Sequence, residues 1–339
     1  MRWRRAAAGL TLAVAVVALL VYGVGWEEVL ENVRRANPVA FTVAVVVGLG
    51  MLALRAALVY RLLAPVDGSA RGLTFVTAYL TGYFARSALP WSRSTGTPIT
   101  AYLLSRPSES EFEDNLAVVA AAEAFNVLAS LVVAVVGVIL VAAVGGGSLS
   151  GVSTSVALLT AGGLVAVVLV AVVFERGLAR SLTVGATSRL ESAAGRVPKL
   201  SPERADGILT ARIEGFFRTL EAIQASRRTL AAAFAIAVVS WLFNAAPLYF
   251  VLLALGVDVP FALVLVCAPL ASFGGVVPLP GGSGGVEIVL AGLLVATAGV
   301  SAGAGTAGAI LYRLSTYWAH LVLCGIVAVY HTLVPPESR

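Results

Sequence analysis

Charge is scarce in this sequence. Only 12% of its 339 residues are charged, against 59% hydrophobic, and mean hydropathy is +0.94. Soluble domains carry roughly 25% charged residues, so a soluble fold is excluded and a polytopic membrane protein is expected. Histidine is nearly missing: His320 and His331, both near the C-terminal end, are the two the chain has. No Ser/His/Asp or Cys/His set can be assembled from them, and no enzymatic activity is expected. His320 and Cys324 stand four apart on one helix face, but two soft ligands in lipid do not make a metal site. Cys267 and Cys324 both lie in apolar runs, so no disulfide framework is implied. Lysine is reduced to Lys199 among 23 basic residues, against 18 acidic ones. That modest positive balance reads as orientation and head-group contact, with no nucleic-acid partner.

What is abundant is long apolar runs. Windows of about 19 residues mark full spans at 6–24, 38–63, 115–144, 152–174, 229–255 and 304–333. The first follows Met-Arg-Trp-Arg-Arg and is too long for a signal-peptide core, so it reads as a transmembrane helix. Residues 26–37 carry Glu27, Glu28, Glu31, Arg34 and Arg35 and look like a short interfacial helix. Residues 175–228 hold ten Arg/Lys against six Asp/Glu and form the one extended polar stretch, with two surface helices expected in it. By the positive-inside rule that loop and the arginine-rich N-terminus are cytoplasmic, and the count of spans puts the C-terminus there too. The chain reads as a single domain over 1–339, in the cell membrane.

Two further apolar stretches are interrupted. In 276–290, Pro278, Pro280, Gly281, Gly282, Gly284 and Gly285 rule out a continuous helix, because proline lacks a donor and glycine lacks conformational bias. In 88–99 the break carries Pro90 and Gly96. Each has an apolar lead-in, Leu-Pro, a run of small residues, then a short apolar helix. The span count makes 72–104 and 261–298 enter and leave from opposite faces, as two opposed re-entrant hairpins of an inverted repeat. The expected fold is therefore an all-α integral membrane protein of about six full helices plus these two hairpins. Lipid tolerates broken backbone only where protein buries it or water reaches it.

The ionisable residues at membrane depth are Arg55, Arg86, Arg93, Glu123, Glu287 and Arg313. A charge there costs about 2.5–3.5 kcal/mol on insertion scales, so lipid-facing placement is disfavoured. Four arginines against two glutamates leave positive charge in excess, and an anionic ligand such as a lipid phosphate would balance it. Arg86, Arg93 and Arg313 are the phosphate candidates. Glu287 would meet a cationic head group or a coupling proton, and alternatively would cap its own helix in a tight turn. As a cap alone it should tolerate Glu287→Gln at a cost of about 1 kcal/mol or less. Alternatively Arg55 and Arg86 snorkel or pair with Glu123 for structure, and Arg55 and Glu123 are assigned that structural role. Gly281–Gly285 is no phosphate-cradling loop: a flanking strand and a Lys-Ser/Thr ending are both missing, so no cofactor is expected. Tyr312, Tyr317 and Trp318 read as interface or packing residues.

The run from Pro278 to Glu287, with Leu311-Tyr-Arg-Leu-Ser-Thr-Tyr-Trp318, resembles the lysylphosphatidylglycerol synthase transmembrane-region family, also called the uncharacterised family 0104. Ala78–Phe84, Leu89-Pro-Trp-Ser-Arg93 and Ala101–Leu104 look like an earlier block of the same family, and the likeness spans roughly 10–334. The resemblance implies a flippase-like translocase moving an anionic phospholipid or lipid-phosphate-linked head group between leaflets. On the same grounds a membrane glycosyltransferase or lipid-modifying enzyme is an expected partner. Two charges common in bacterial members after the glutamate are absent here, where Glu123-Ala-Phe-Asn126 stands, and no aminoacyl-transferase domain is expected within these residues, so lysine transfer is not implied. An ion-coupled solute transporter and a non-transporting scaffold for a glycosyltransferase are the competing expectations.

Overall fold

The computed structural model describes residues 26–89, 92–144, 202–276 and 279–333. Every regular element among the described residues is helical, and the chain is an all-α integral membrane protein.

Helix α1 (Trp26–Arg35) has Glu27 and Glu28 in its first turn and Arg34 and Arg35 in its last, matching the helix dipole at both ends. Helix α2 (Pro38–Leu62) follows at once. Pro38 suits a first helical position because its missing N–H needs no partner there. Asn37 caps the helix, its side chain accepting from Val39 and Ala40 at 2.9 and 3.2 Å. The Asn37 N–H donates to the Ala254 carbonyl at 2.7 Å. That bond fastens the start of α2 to the end of α7 (Arg227–Ala254), and the two run antiparallel as the most extensively packed pair. Helix α5 (Phe112–Val144), roughly 50 Å long, lies across α7, and Trp241 Nε1 donates to the Asn126 carbonyl at 2.7 Å to hold them together.

Between these long helices sit two broken hairpins. In the first, α3 (Gly72–Ala88) and α4 (Ser92–Ser105) pack face to face, with Gly82 against Thr100. In the second, α8 (Phe261–Ala271) runs into a 3-10 turn (Ser272–Val276), then a second short turn (Pro280–Gly282), then α9 (Gly285–Ala298). At 1.5 Å per residue, α8 and α9 reach roughly 17 and 21 Å, short of a hydrocarbon core of about 30 Å. Gly281, Gly282 and Gly284 hold φ of +58°, +67° and +86°, a left-handed region that side chains rarely enter. A Cβ on Gly274 would fall 2.3 Å from the Gly285 carbonyl oxygen, so the break closes backbone on backbone.

Helix α10 (Ala302–Arg313) starts on the Ser301 cap and rests against α1, where the Ser301 hydroxyl donates to Glu28 at 2.7 Å. It passes without interruption into a π turn (Leu314–Trp318) and then α11 (Ala319–Leu333). The backbone of α2 touches this turn at Gly48, where a Cβ would sit 2.3 Å from the Ser315 carbonyl oxygen.

Five stretches among the described residues are long and apolar enough to cross a membrane: α2, Phe112–Ala143, α7, Pro280–Ala298 and Ala302–Tyr330. The fourth includes the glycine break, so its continuous helix is only the 14 residues of α9. The expected spans at 38–63, 115–144, 229–255 and 304–333 are all helical. Those expected at 6–24 and 152–174 lie outside the described residues. Of the polar stretch 175–228, helix α6 (Pro202–Ala225) is described, and it docks on α5 through the Thr219 hydroxyl and Asp114. Large apolar side chains face outward, Leu73 at 82% and Val39 at 71% exposed, an arrangement only a bilayer solvates.

Candidate functional site

The two breaks and the π turn converge on a cavity of about 440 Å³, with α2, α5 and α7 completing its wall. That volume lies within the roughly 300–1,000 Å³ of small-molecule sites. Three arginines from three helices line it: Arg55 on α2, Arg86 on α3 and Arg313 at the end of α10.

Each arginine has a different setting. Arg86 Nη1 meets Glu123 Oε1 at 2.6 Å, so α3 and α5 are bridged across the cavity's edge. Gly96 makes room for this side chain, because a Cβ there would approach Arg86 Cβ to 2.9 Å. Arg313 Nε donates to Glu287 Oε1 at 3.1 Å, and its Nη2 donates to the Gly281 carbonyl at 2.8 Å. Its guanidinium lies 4.2 Å from the Tyr317 ring centroid, a cation–π contact one helical turn away. Arg55 has no carboxylate within ion-pair distance among the described residues, and its Nε is buried without a hydrogen-bond partner.

Glu287 is the hinge-pin of the second break. Its side chain is 2% exposed. One oxygen accepts from the Gly284 N–H at 2.7 Å and the other holds Arg313. The cap expected from its position is therefore made, and the same carboxylate is also half of a buried ion pair. It is not among the residues that line the cavity, whereas its partner Arg313 is.

Several expectations need correcting. Of the two arginines expected as structural partners of Glu123, Arg86 makes the pair and Arg55 does not. Gly96 is not in the break but inside α4, which begins at Ser92, and its role is lateral clearance for Arg86. Pro98 likewise lies within α4. Pro280, Gly281, Gly282 and Gly284 do interrupt the helix, and Gly285 is the first residue of α9. Pro90 and Pro278 lie outside the described residues, and so does the side chain of Arg93.

Other residues of the cavity wall escaped the sequence reading. Tyr317 lines the cavity, donates its hydroxyl to the Ser87 carbonyl at 3.0 Å, and packs its ring where a Gly281 Cβ would be. Its place four residues after Arg313 was the available signal, since such pairs share a helix face. Asn126, Asn244 and Trp241 also line the cavity, and Tyr312 donates to Asn244 at 3.2 Å. Nothing local marked these. His320 is occupied structurally, its Nε2 2.7 Å from the Gly48 carbonyl oxygen.

A multi-pass helical membrane protein with an arginine-lined cavity between two broken hairpins is the class these features define. The family described as lysylphosphatidylglycerol synthase TM region matches residues 6–324, and the chain belongs to that family. A UPF0104 membrane protein of Methanothermobacter thermautotrophicus is 24% identical over 331 residues, covering 94% of this chain and 93% of that protein.

Proposed function

We propose that the protein is a flippase-like translocase that moves an anionic phospholipid, or a lipid-phosphate-linked head group, between leaflets. The observation that carries this reading is the cavity's charge: three arginines face it and two carboxylates oppose them, leaving one cation to be balanced by the ligand. An isolated cation at membrane depth is costly, and phosphate matches the guanidinium fork well. In this reading Arg55, Arg86, Arg313 and, at the start of α4, Arg93 receive the head group. Glu123 and Glu287 set the geometry of two of them.

A second feature favours a lipid over a free solute. An apolar groove of about 620 Å³ lies between α2 and α3, lined by residues that include Leu52, Ala56, Phe75 and Leu80. Leu52 and Ala56 flank Arg55 along α2, so an acyl tail in the groove would leave its phosphate beside that arginine. The two broken hairpins enter from opposite faces as an inverted repeat, with both termini cytoplasmic and the chain in the cell membrane. A glycosyltransferase or lipid-modifying enzyme supplies or consumes the lipid.

The test is movement of labelled lipid across proteoliposomes containing the purified chain. Anionic phosphatidylglycerol should cross faster than in protein-free vesicles, and Arg55→Gln should slow it. Equal rates with and without protein would remove the translocase reading.

A further inference from the structure

The seam between α5 and α8 is closed at one end and parted at the other. At Gly137 it is closed: a Cβ there would come 2.9 Å from Leu265 Cβ and Val266 Cγ2, and 3.0 Å from the Ala262 carbonyl oxygen. Helix α6 docks on the start of α5 and leads straight into α7, so α5 and α7 run the same way, and α8, turning back, runs against both. Toward the α6 side the seam gives way to the cavity, which Ser130 and Leu131 of α5 and Ala268 of α8 line. Val127 lies roughly 15 Å down α5 from Gly137, and Phe273 roughly 12 Å along α8 and its turn from Leu265, so the two come level. Val127 is 42% exposed and Phe273 54%, and both line the cavity, so each borders the cavity and the bilayer at once. We propose that Val127 and Phe273 form the rim of a lateral mouth through which a phospholipid enters the cavity from the leaflet on the α6 side. This rests on the lipid reading of the cavity and adds its route and its leaflet.

Phe273 is held in place rather than left loose. It stands in the 3-10 turn Ser272–Val276 beside Gly274 and Gly275, and both glycines pack on backbone: a Cβ on Gly282 would fall 2.4 Å from Gly275 Cα, as a Cβ on Gly274 would meet the Gly285 carbonyl. The turn is therefore fixed, and the bulky ring stands at its edge. Across from it, Glu123 lies one helical turn before Val127, partly exposed and paired with Arg86 at 2.6 Å. The mouth thus has an apolar rim and a charged threshold whose pair is neutral in sum. A free solute arrives from water and has no use for a rim open to hydrocarbon. A phospholipid has a part for each: its acyl chains stay in the bilayer between Val127 and Phe273, while its phosphate crosses the threshold into a cavity with positive charge in excess. The close packing at Gly137 shuts the other half of the seam, so this route serves one leaflet. By the positive-inside rule the α6 side is the cytoplasmic one.

The experiment follows exchange of retained lipid. The full chain is loaded with phosphatidylglycerol in detergent, excess deuterated phosphatidylglycerol is added, and native mass spectrometry reads the replacement over time. Val127→Trp adds a ring opposite Phe273 and should slow exchange about tenfold or more, with retention at equilibrium unchanged. Ile139→Trp, also exposed on α5 but beyond the Gly137 seal and away from the cavity, should exchange like wild type. Phe273→Ala widens the mouth and should speed exchange. If Val127→Trp fails to fold, Phe273→Ala decides alone, and a wild-type rate in it overturns the proposal. A wild-type rate in a folded Val127→Trp overturns it as well, and so does equal slowing in Ile139→Trp. A wild type that retains no phosphatidylglycerol removes the mouth and the lipid reading together. Lipid movement across proteoliposomes is read separately on the same variants. Slowed exchange in a chain that moves no lipid supports the mouth and removes the translocase, whereas movement at the wild-type rate in Val127→Trp keeps the translocase and removes the mouth.

Discussion

The Tyr317 hydroxyl donates to the Ser87 carbonyl at 3.0 Å, joining residues 230 positions apart. Ser87 lies in the last turn of α3, at the first break. The ring of Tyr317 lies on Gly281, in the second break, and under the Arg313 guanidinium. One side chain therefore clasps both interruptions and one of the cavity's arginines.

Tyr317→Phe keeps the ring and deletes the clasp's hydrogen bond. The Ser87 carbonyl would lose its partner, at a cost of about 1–1.5 kcal/mol. Thermal unfolding in detergent should show that loss, and lipid movement should slow while lipid retention holds. An unchanged melting temperature would mean the bond contributes nothing.

Gly281→Ala should be far worse than the same change at Gly292. At Gly281 the new Cβ would fall 2.0 Å from the Tyr317 ring, in a backbone with φ of +58°; at Gly292 nothing lies within 4 Å. Strain and overpacking together should cost at least about 2 kcal/mol. Adding Tyr317→Ala to Gly281→Ala removes the overlap but not the strain, so it should recover part of the melting temperature. Full tolerance of Gly281→Ala would contradict the packing described.

Glu287→Gln is expected to be damaging, not mild as a helix cap alone would be. The pair it forms with Arg313 is buried on both sides, and the variant would leave a guanidinium without its counter-charge. Breaking such a pair typically costs about 3–5 kcal/mol. Glu287→Gln with Arg313→Gln should be more stable than Glu287→Gln alone, a comparison that chemical denaturation can make. A fully stable single variant would reduce Glu287 to a cap.

Glu123→Gln should strengthen anionic-lipid retention. It removes the carboxylate 2.6 Å from Arg86 and leaves that guanidinium for a ligand. A charge-assisted bond of about 1.5–3 kcal/mol gives roughly tenfold or more, readable by native mass spectrometry. Weaker retention would show that Glu123 helps to hold the ligand.

Orientation is testable by labelling. Single cysteines placed in 196–204 and in 145–151 should react from opposite faces of sealed vesicles, because the positive-inside rule assigns the arginine-rich stretch to the cytoplasmic face. Labelling of both from one face would remove the opposed entry of the two hairpins.

What the sequence made legible was local. The long spans read directly from hydropathy, and the second break from prolines and glycines whose constraints belong to each residue alone. Pairing was not local: Arg86 meets Glu123 across 37 positions and Arg313 meets Glu287 across 26. Arg55 and Arg86 both looked like partners for Glu123 in the list of charges; only packing shows that the arginine on α3 takes it. Gly96 looked like a breaker because glycine so often is one. Its actual use, clearance for a side chain on a neighbouring helix, has no signature along the chain. Asn126 and Asn244 were overlooked because a neutral amide in an apolar run gives no charge to notice, although it can carry the same specificity.

The π turn at Leu314–Trp318 makes the length of this segment a specification in its own right. A π turn is an α-helix with one residue inserted, and each residue advances an α-helix by about 100°. Deleting one residue there would turn α11 by that angle relative to α10. His320 would swing away from Gly48, Cys324 would leave its buried site, and the helix would present a wrong side to Phe84, which now rests on Gly325. Substitutions in the turn alter chemistry at one position; a deletion rewrites every contact downstream. The segment should therefore accept changes of letter far more readily than changes of number.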